Sequence, residues 1–240
     1  MRLIRSLLFV VWLYGSIFVM GLIGMPAAAF SRRAAQAVCP MWARIVMFGA
    51  RWIMGIRWQL RHGERFPDKP VLIAMKHHSM MDTIVPFLFI KPVPCFVLKQ
   101  ELLQMPVFGW YARRAGMIAI DRDGHMKALK QMVAEAREQL AAGRSIIIFP
   151  EGTRQDLGAA PDYKPGVAAI YGLLGVDCVP VALDTGAVWP AHGVLRQPGL
   201  ATFDVLEPIE SGLKRGPFME RLEAQIEQGT NTLPLARGAG

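Results

Sequence analysis

The longest apolar segment of the chain lies near its amino terminus. No charged residue occurs between Arg5 and Arg32, and the stretch Leu7–Ala29 is almost wholly apolar. It exceeds the roughly 20 apolar residues that a membrane-spanning helix requires. A cleaved signal peptide is the alternative, because Arg2 and Arg5 form a basic start and Ala27–Ala29 offer small residues for cleavage. The apolar core of a signal peptide has only roughly 7–15 residues, so the pattern favours a segment that stays in contact with lipid.

A second apolar stretch, Ala37–Trp58, is interrupted by Arg44, Arg51 and Arg57. Their spacings of seven and six residues gather them near one face of a helix. A basic stripe on an apolar helix is typical of a helix that lies in the membrane interface. This stretch therefore predicts an interfacial helix.

Basic residues flank the first apolar segment on both sides, so the distribution of positive charge does not favour a simple crossing of the membrane. We predict that residues 1–58 form an apolar two-helix membrane segment. In this hypothesis a helical hairpin, bent near Gly21, Gly24 and Pro26, dips into the cytoplasmic leaflet and returns. The rest of the chain would then lie at the inner membrane and face the cytoplasm. A single crossing is the alternative.

Short β-rich runs recur along the remainder of the chain. The sequence predicts six strands, at Val71–Met75, Cys95–Leu98, Met117–Ile120, Ser145–Phe149, Cys178–Leu183 and Thr202–Leu206. Runs such as Ser145–Phe149 are continuously apolar, as expected where both faces of a sheet are covered. The pattern predicts an α/β fold with a central mixed sheet flanked by helices.

Helical patterns lie between several of these runs. The clearest spans Gly124–Ala142, where apolar positions repeat on one face and Gly143 supplies a stop. A last helix is predicted over Pro217–Gln228, with proline in its first turn. We therefore expect a single catalytic domain over residues 59–229, followed by a flexible tail over residues 230–240.

Composition and charge limit the functional classes. The net charge of +8 favours an anionic partner, but the basic residues are not interleaved with aromatic residues as in a nucleic-acid-binding module. Anionic lipid headgroups and phosphorylated substrates fit better, and we expect no nucleic acid partner. The three cysteines are widely spaced and contain no CxxC pair, so we expect reduced thiols and neither a zinc nor a redox centre.

The candidate catalytic segment, Lys76–Asp82, directly follows the first predicted strand, at the kind of strand end where α/β sheets commonly build their sites. His77 is a candidate general base, and Asp82 could fix its tautomer and orientation. Five residues apart, the two side chains can meet only if His77 lies in the turn and Asp82 in the helix that follows. An ordinary polar loop is the alternative, as is a metal site formed by His77, His78, Asp82 and Glu151.

Three further segments place polar groups at strand ends. Phe149–Arg154 contains a proline that ends the strand, a glycine that permits close approach of a ligand, and Arg154, which suits a phosphate. A surface ion pair between Glu151 and Arg154 is the alternative. Gly116–Arg122 ends in an aspartate and an arginine, and Lys99 follows another strand. Each of the last two is weak evidence alone.

Taken together and in this order, these segments resemble the glycerolipid acyltransferase family, which includes the bacterial 1-acyl-glycerol-3-phosphate acyltransferases. His77 to Asp82 matches the family's first motif, Gly116 to Arg122 its second and Phe149 to Arg154 its third, while Val179–Val181 resembles the fourth. The likeness covers roughly residues 70–183.

The resemblance implies a membrane-bound O-acyltransferase of phospholipid synthesis, with acyl-CoA or acyl carrier protein as the thioester donor and no cofactor or metal. The expected acceptor is the sn-2 hydroxyl of 1-acyl-glycerol-3-phosphate, and the expected product is phosphatidic acid. His77 and Asp82 would be catalytic. The substrate-binding residues that the resemblance implies are Lys99, Gly116, Arg122, Glu151, Gly152, Thr153 and Arg154.

The chain departs from the family pattern in two places. Many members have asparagine before the histidine and two tryptophans after it, where this chain has Lys76 and Met80–Met81. The departures leave other acceptors open, such as a lyso-ornithine lipid or glycerol 3-phosphate. Outside the family, a metal-dependent lipid hydrolase and a non-catalytic membrane scaffold are the alternatives. A thioester-condensing acyltransferase fits less well, since it would have glycine where Thr83 stands.

Overall fold

The computed structural model describes residues 1–120 and 125–234 and contains a seven-stranded sheet. The strands are β1 Ile56–Arg61, β2 Leu72–Met75, β3 Cys95–Lys99, β4 Ile118–Ile120, β5 Ile146–Ile148, β6 Cys178–Leu183 and β7 Gly199–Val205. Their order is β1-β7-β6-β2-β5-β3-β4. Every pair is parallel except β6 with β7, so β1 and β7 run against the other five strands. The predicted mixed sheet is confirmed.

Seven α-helices surround this sheet within the described residues. They are α1 Arg2–Phe30, α2 Arg32–Gly49, α3 Pro86–Phe89, α4 Phe108–Ala115, α5 His125–Ala141, α6 Gly166–Leu174 and α7 Arg215–Thr232. The helix predicted over residues 124–142 corresponds to α5. The last predicted helix is longer than expected, since α7 begins at Arg215 and continues to Thr232. Thr230 is buried, so the predicted tail begins inside the helix, and residues 235–240 lie outside the described part of the chain.

The amino-terminal helices α1 and α2 form an antiparallel hairpin. The indole N–H of Trp12 donates to the carbonyl of Ile45 at 2.9 Å, and that of Trp42 donates to the Ser16 hydroxyl at 3.2 Å. The chain reverses at Ser31, whose hydroxyl accepts the Ala34 N–H and caps α2. Among the described helices, α1 is the one long and apolar enough to cross a membrane by length and composition.

The predicted bend near Gly21, Gly24 and Pro26 is wrong, because α1 runs through all three residues. The glycines permit close packing. A Cβ atom at Gly21 would lie 2.2 Å from Cγ1 of Val107, and one at Gly24 would lie 2.7 Å from Cγ2 of Val38. Glycine therefore marks contacts of α1 with its neighbours, while the turn itself depends on a serine cap.

The interfacial helix predicted to reach Trp58 ends earlier. A π-helical turn, Ala50–Met54, extends α2, and Gly55 then adopts a left-handed conformation with φ of 74°. From Ile56 the chain forms β1, which pairs with β7. The predicted boundary at residue 58 therefore lies inside a strand. Sequence periodicity did not predict β1, because its burial does not alternate cleanly.

The hairpin forms one layer of a three-layer fold. Its buried residues, such as Phe9 and Leu13, share a core with Ile73 of β2 and Val179 of β6. A second core, which includes Tyr171 of α6 and residues of α5 and α7, covers the opposite face of the sheet. Both faces of the central strands are therefore buried, as their continuously apolar sequences predict.

Candidate active site

The candidate site lies at the carboxyl end of β2, which is flanked by β5 and β6 near the centre of the sheet. Ser79 follows in extended conformation and caps a single 3-10 turn, Met80–Thr83; its hydroxyl accepts the Met81 N–H at 3.0 Å. This cap reverses the chain within a few residues and carries Asp82 back towards His77. The two side chains meet as the sequence predicts, with the histidine before the helical turn and the aspartate inside it.

Asp82 is fully buried, and its carboxylate accepts four hydrogen bonds. Oδ2 accepts from Nδ1 of His77 at 3.1 Å and from the backbone N–H groups of His78 and Ser79 at 2.7 and 2.8 Å. Oδ1 accepts from the Thr185 hydroxyl at 2.5 Å. The side chain cannot rotate without breaking several of these bonds, so its position is fixed.

These contacts determine the tautomer of His77. Oδ2 of Asp82 already accepts two backbone N–H groups, so it is an acceptor towards the imidazole as well, and Nδ1 carries the proton. Nε2 then has a free lone pair. The ring stacks on Phe149 with a centroid separation of 3.9 Å, and its side chain is 13% exposed, which leaves one edge open to a substrate. The imidazole is therefore held by Asp82 at Nδ1 and by Phe149 on one face, and Nε2 can act as a base.

Glu151 contacts the backbone of His77, since its Oε2 accepts the His77 N–H at 2.8 Å. Its side chain is buried, and burial raises the pKa of the carboxyl to about 7. The Gln155 N–H donates to the carbonyl of the same residue, His77, at 2.8 Å. Gly152 makes the turn between them possible with φ of 73°. The segment after β5 thus clamps the backbone of His77.

The predicted cationic residues lie at the same edge of the sheet but do not touch His77. Arg154 is exposed and donates through Nη1 to the Ala191 carbonyl at 3.4 Å. Thr153 is also exposed. Lys99 is half exposed at the end of β3, where its ammonium lies 2.7 Å from Glu101. Since Glu151 is buried and Arg154 faces outward, the two do not form the surface ion pair that was the alternative.

Gly116 lies at the start of β4, whereas His77 follows the end of β2, and the two strands run parallel. Gly116 ends α4 with φ of 72°, and a Cβ atom there would lie 1.8 Å from a guanidinium nitrogen of Arg32. It lines a cavity of about 490 Å³ whose lining includes neither His77 nor Asp82. The structure therefore does not bring Gly116 to His77 and Asp82. Arg122, the other predicted residue of this segment, lies outside the described residues.

The two adjacent histidines point in different directions. Nδ1 of His78 lies 3.0 Å from the Gln155 carbonyl, and the ring is buried, which lowers its pKa. His77 instead faces Asp82. No cluster of three or more His, Cys, Asp or Glu side chains among the described residues is arranged to hold a metal ion. The geometry therefore favours acid–base chemistry at a single imidazole.

Several contacts at the site have no signal in the local sequence. Thr185 lies 103 positions from Asp82 and comes to it because β6 and β2 are neighbours. Lys76 pairs with Glu227, which lies on α7. Motif spacing could not identify either partner, because both contacts depend on the order of the strands and helices in space.

Comparison with known proteins identifies the family of this chain. A model of the acyltransferase family matches residues 57–184. A 1-acyl-sn-glycerol-3-phosphate acyltransferase of Pseudomonas aeruginosa is 36% identical over 94% of this chain and 90% of its own length. The chain belongs to the acyltransferase family.

Two further proteins are similar to this acyltransferase. A lyso-ornithine lipid O-acyltransferase of Pseudomonas aeruginosa is 30% identical over 79% of the chain and 72% of its own length. The crystal structure of a 1-acyl-sn-glycerophosphate acyltransferase from Thermotoga maritima has a TM-score of 0.78 at 21% identity, and the match covers 97% of this chain and 99% of that one. The predicted enzyme class, an O-acyltransferase, is confirmed by the family and by the first relative.

Proposed function

We propose that this acyltransferase moves a fatty acyl group from acyl-CoA or acyl carrier protein to the sn-2 hydroxyl of 1-acyl-glycerol-3-phosphate, giving phosphatidic acid. The observation that carries the proposal is the contact between Nδ1 of His77 and the buried carboxylate of Asp82. The name of the 36% identical relative supports this acceptor. The lyso-ornithine lipid enzyme, at 30% identity, supports a second candidate acceptor.

In the proposed reaction, Nε2 of His77 removes the proton from the acceptor hydroxyl as its oxygen attacks the thioester carbonyl. The C–O bond forms, and the C–S bond of the resulting tetrahedral intermediate breaks. The departing thiolate takes the proton back from the imidazolium. Asp82 stabilises the imidazolium while it exists and keeps the ring in the productive tautomer. No acyl-enzyme is formed, and Ser79 is a capping residue whose hydroxyl is engaged with the Met81 N–H.

We propose that cationic side chains bind the phosphate of the acceptor. Arg154 lies on the segment that clamps His77, is exposed, and has no carboxylate partner among the described residues. Its planar guanidinium suits a phosphate. Lys99 lies at the same sheet edge, and its exposed pair with Glu101 costs little to break. Arg122, which the family resemblance implies, and the neighbouring Gly152 and Thr153 would complete this wall.

The packing of α1 supports an anchor that re-enters one leaflet. Near its start, the Ser6 hydroxyl accepts the N–H of Arg196, in the loop after β6, at 3.1 Å. Near its end, Arg114 donates to the carbonyls of Ala28 and Ala29. Both ends of α1 therefore contact the catalytic body, and a perpendicular crossing would break one set of contacts. A cleaved signal peptide would also remove Phe9 and Leu13 from the core.

We infer that the exposed apolar face of α1 inserts into the cytoplasmic leaflet of the inner membrane, with the site facing the cytoplasm, where the thioester donors are found. Leu8, Val11 and Val19 are among the exposed residues on this face. A single cysteine introduced at Arg32 in a background without the native cysteines tests this orientation. An impermeant maleimide should label it only from the cytoplasmic side, and labelling from outside would overturn the inference.

A lysolipid panel tests the reaction itself. Purified protein in mixed micelles is assayed with acyl-CoA and acyl carrier protein donors against 1-acyl-glycerol-3-phosphate, a lyso-ornithine lipid and glycerol 3-phosphate. We expect the first acceptor to be used best and His77→Ala to lower kcat by about 10²–10⁴-fold. His62→Ala is the matched control, since His62 also faces an aspartate, Asp204, but lies away from the site. Retained transfer in His77→Ala, or chelator-sensitive lipid hydrolysis, would refute the proposal.

A further inference from the structure

Lys76, the residue directly before the candidate base, carries a charge that is almost completely buried. Its side chain is 4% exposed, and its ammonium lies 2.6 and 2.5 Å from the two carboxylate oxygens of Glu227. Side chains alternate along an extended chain, so Lys76 and His77 point to opposite sides. The partner carboxylate belongs to α7, 151 positions later in the chain. The ion pair therefore ties the carboxy-terminal helix to the catalytic strand end.

A third segment meets the same carboxylate. The Tyr163 hydroxyl donates to Oε1 of Glu227 at 3.0 Å. The next residue, Lys164, donates its backbone N–H to the Pro150 carbonyl at 2.8 Å, which joins this segment to the one that carries Glu151. Glu227 is thus the meeting point of β2, the loop before α6, and α7. Lys76 directly precedes His77, and Pro150 directly precedes Glu151, which accepts the His77 N–H.

The buried ammonium has two carboxylates near it. Both Lys76 and Glu227 influence the ionisation of Glu151, the ammonium lowering its pKa and the Glu227 carboxylate raising it. In the structure, Glu227 takes the ammonium with both oxygens, while Glu151 instead accepts the His77 N–H. The two carboxylates therefore have separate partners.

We propose that Glu227 is a positioning residue for His77: by neutralising Lys76, with Tyr163 holding the carboxylate, it leaves Glu151 free to hold the backbone of the catalytic base. This inference rests on the proposed role of His77 in acyl transfer. It also assigns a role to Lys76, where the chain departs from the family pattern. Glu227 itself contacts neither the imidazole nor the reacting atoms and acts only through these neighbours.

The physical reason is the cost of an unpaired buried charge. Removing one partner of a buried ion pair leaves the other uncompensated, which is strongly unfavourable. Without the charge of Glu227, the Lys76 ammonium is left with Glu151, the other carboxylate with which it interacts. Drawing Glu151 towards Lys76 would remove the acceptor of the His77 N–H and shift the imidazole relative to Asp82. The loss should therefore fall on kcat.

A double-mutant cycle on Lys76 and Glu227 tests this. Glu227→Gln keeps the shape of the side chain and an acceptor for Tyr163 but removes the charge. We expect it to lower kcat by about tenfold with the KM for both substrates nearly unchanged. Lys76→Met in the Glu227→Gln background removes the unpaired ammonium, and kcat should return to within about twofold of wild type. Additive losses would instead show that the two side chains act independently.

Lys69→Met is the matched control. Lys69 stands just before β2, at the end remote from His77, and pairs with Asp177 at 2.6 Å in an exposed setting. Its loss should leave kcat unchanged, since an exposed pair contributes little. Tyr163→Phe should give a smaller loss than Glu227→Gln, because the ion pair remains. It also keeps the proposal testable if Glu227→Gln fails to fold.

The pH profile supplies a readout that a structural role would not move. Lys76, Asp82, Glu227 and Tyr163 are the charged or titratable groups that act on Glu151. Ionised Glu151 is the stronger acceptor for the His77 N–H, so kcat should fall as Glu151 becomes protonated. Removing the negative charge of Glu227 lowers the pKa of Glu151. The acidic limb of kcat should therefore move to lower pH in Glu227→Gln and return in the double variant.

Three results would overturn the proposal: a kcat for Glu227→Gln within about twofold of wild type, additive losses in the cycle, or an unshifted acidic limb. If His77→Ala is inactive while these results are found, only the role of Glu227 fails. If His77→Ala retains transfer, the proposed function fails as well, whatever the cycle shows.

Discussion

The sharpest prediction concerns the charge of Asp82. Asp82→Asn preserves the volume and nearly all of the hydrogen bonds of the side chain. The backbone N–H groups of His78 and Ser79 both point at the position of Oδ2, so they will hold the amide oxygen there. The amide nitrogen then faces Thr185, whose hydroxyl can turn and accept. His77 keeps an acceptor at Nδ1 and hence its tautomer, and the variant isolates the effect of the negative charge.

The magnitude follows from the geometry of the pair. With Nδ1 and Oδ2 3.1 Å apart, the centres of charge of an imidazolium and the carboxylate are about 4 Å apart, which corresponds to about 4 kcal/mol at an effective dielectric constant of 20. Each 1.36 kcal/mol changes a rate about tenfold, so kcat should fall by about 10³-fold. The KM for either substrate should change little, because the interaction develops only as the proton is transferred.

The assay is steady-state transfer to 1-acyl-glycerol-3-phosphate, with thermal unfolding measured on the same preparations. Asp204→Asn is the control, because Asp204 also accepts from a histidine, at 2.6 Å from Nδ1 of His62, but lies on β7, two strands from β2. It should keep kcat close to that of wild type. If Asp82→Asn retains more than about a tenth of wild-type kcat, the carboxylate charge does not stabilise an imidazolium, and the argument for the catalytic pair is refuted.

Four further outcomes are expected. Thr185→Val removes one donor to a buried carboxylate, so thermal unfolding should show a loss of about 1.5–3 kcal/mol, together with a lower kcat. Arg154→Ala should raise the KM for a phosphorylated acceptor by about tenfold or more and leave the KM for the donor unchanged; an effect confined to the donor would move Arg154 to the other substrate. Phe9→Ala should destabilise the protein by about 3–5 kcal/mol if α1 is part of the core, and a neutral effect would show that it is not. Burial raises the pKa of Glu151 from 4.5 to about 7, so the contribution of this carboxyl to stability is complete below pH 4.5, where it is protonated, and is lost as pH rises towards 7. Glu151→Gln should remove this pH dependence and be more stable than wild type at pH 8 by about 3 kcal/mol, as measured by urea unfolding at several pH values.

The sequence predicts the central sheet well because its strands are short, apolar and separated by clear turns. The strand over Cys178–Leu183 agrees at both ends. The chain gives less information where burial is one-sided or absent. β1 pairs only with β7 at an edge of the sheet, so its residues neither alternate nor form an apolar run, and the sequence predicts a helix up to Trp58 instead. The short α3 and α4 lack the length over which a helical period can be recognised.

The contacts of the candidate site also divide into those that the sequence predicts and those that it does not. Contacts within one segment, such as His77 with Asp82, follow from local chain geometry and could be predicted. The Phe149–Arg154 motif was recognised, yet it did not indicate that Glu151 would bind the backbone of His77 while Arg154 faced outward. Which member of a motif points inward depends on the turn that Gly152 makes after β5, and motif spacing does not encode that turn.

The hairpin shows why an apolar segment cannot be interpreted by hydropathy alone. Its apolar residues serve two purposes, since Phe9 and Leu13 complete the protein core while the opposite face of the helix is exposed. The loop after β6 contacts both the hairpin and the site: the Arg196 N–H donates to the Ser6 hydroxyl at 3.1 Å, and Thr185 holds Asp82. A hairpin that moved as an independent anchor would pull on the loop that fixes the catalytic carboxylate. The hairpin and the His77–Asp82 pair are therefore parts of one structural unit.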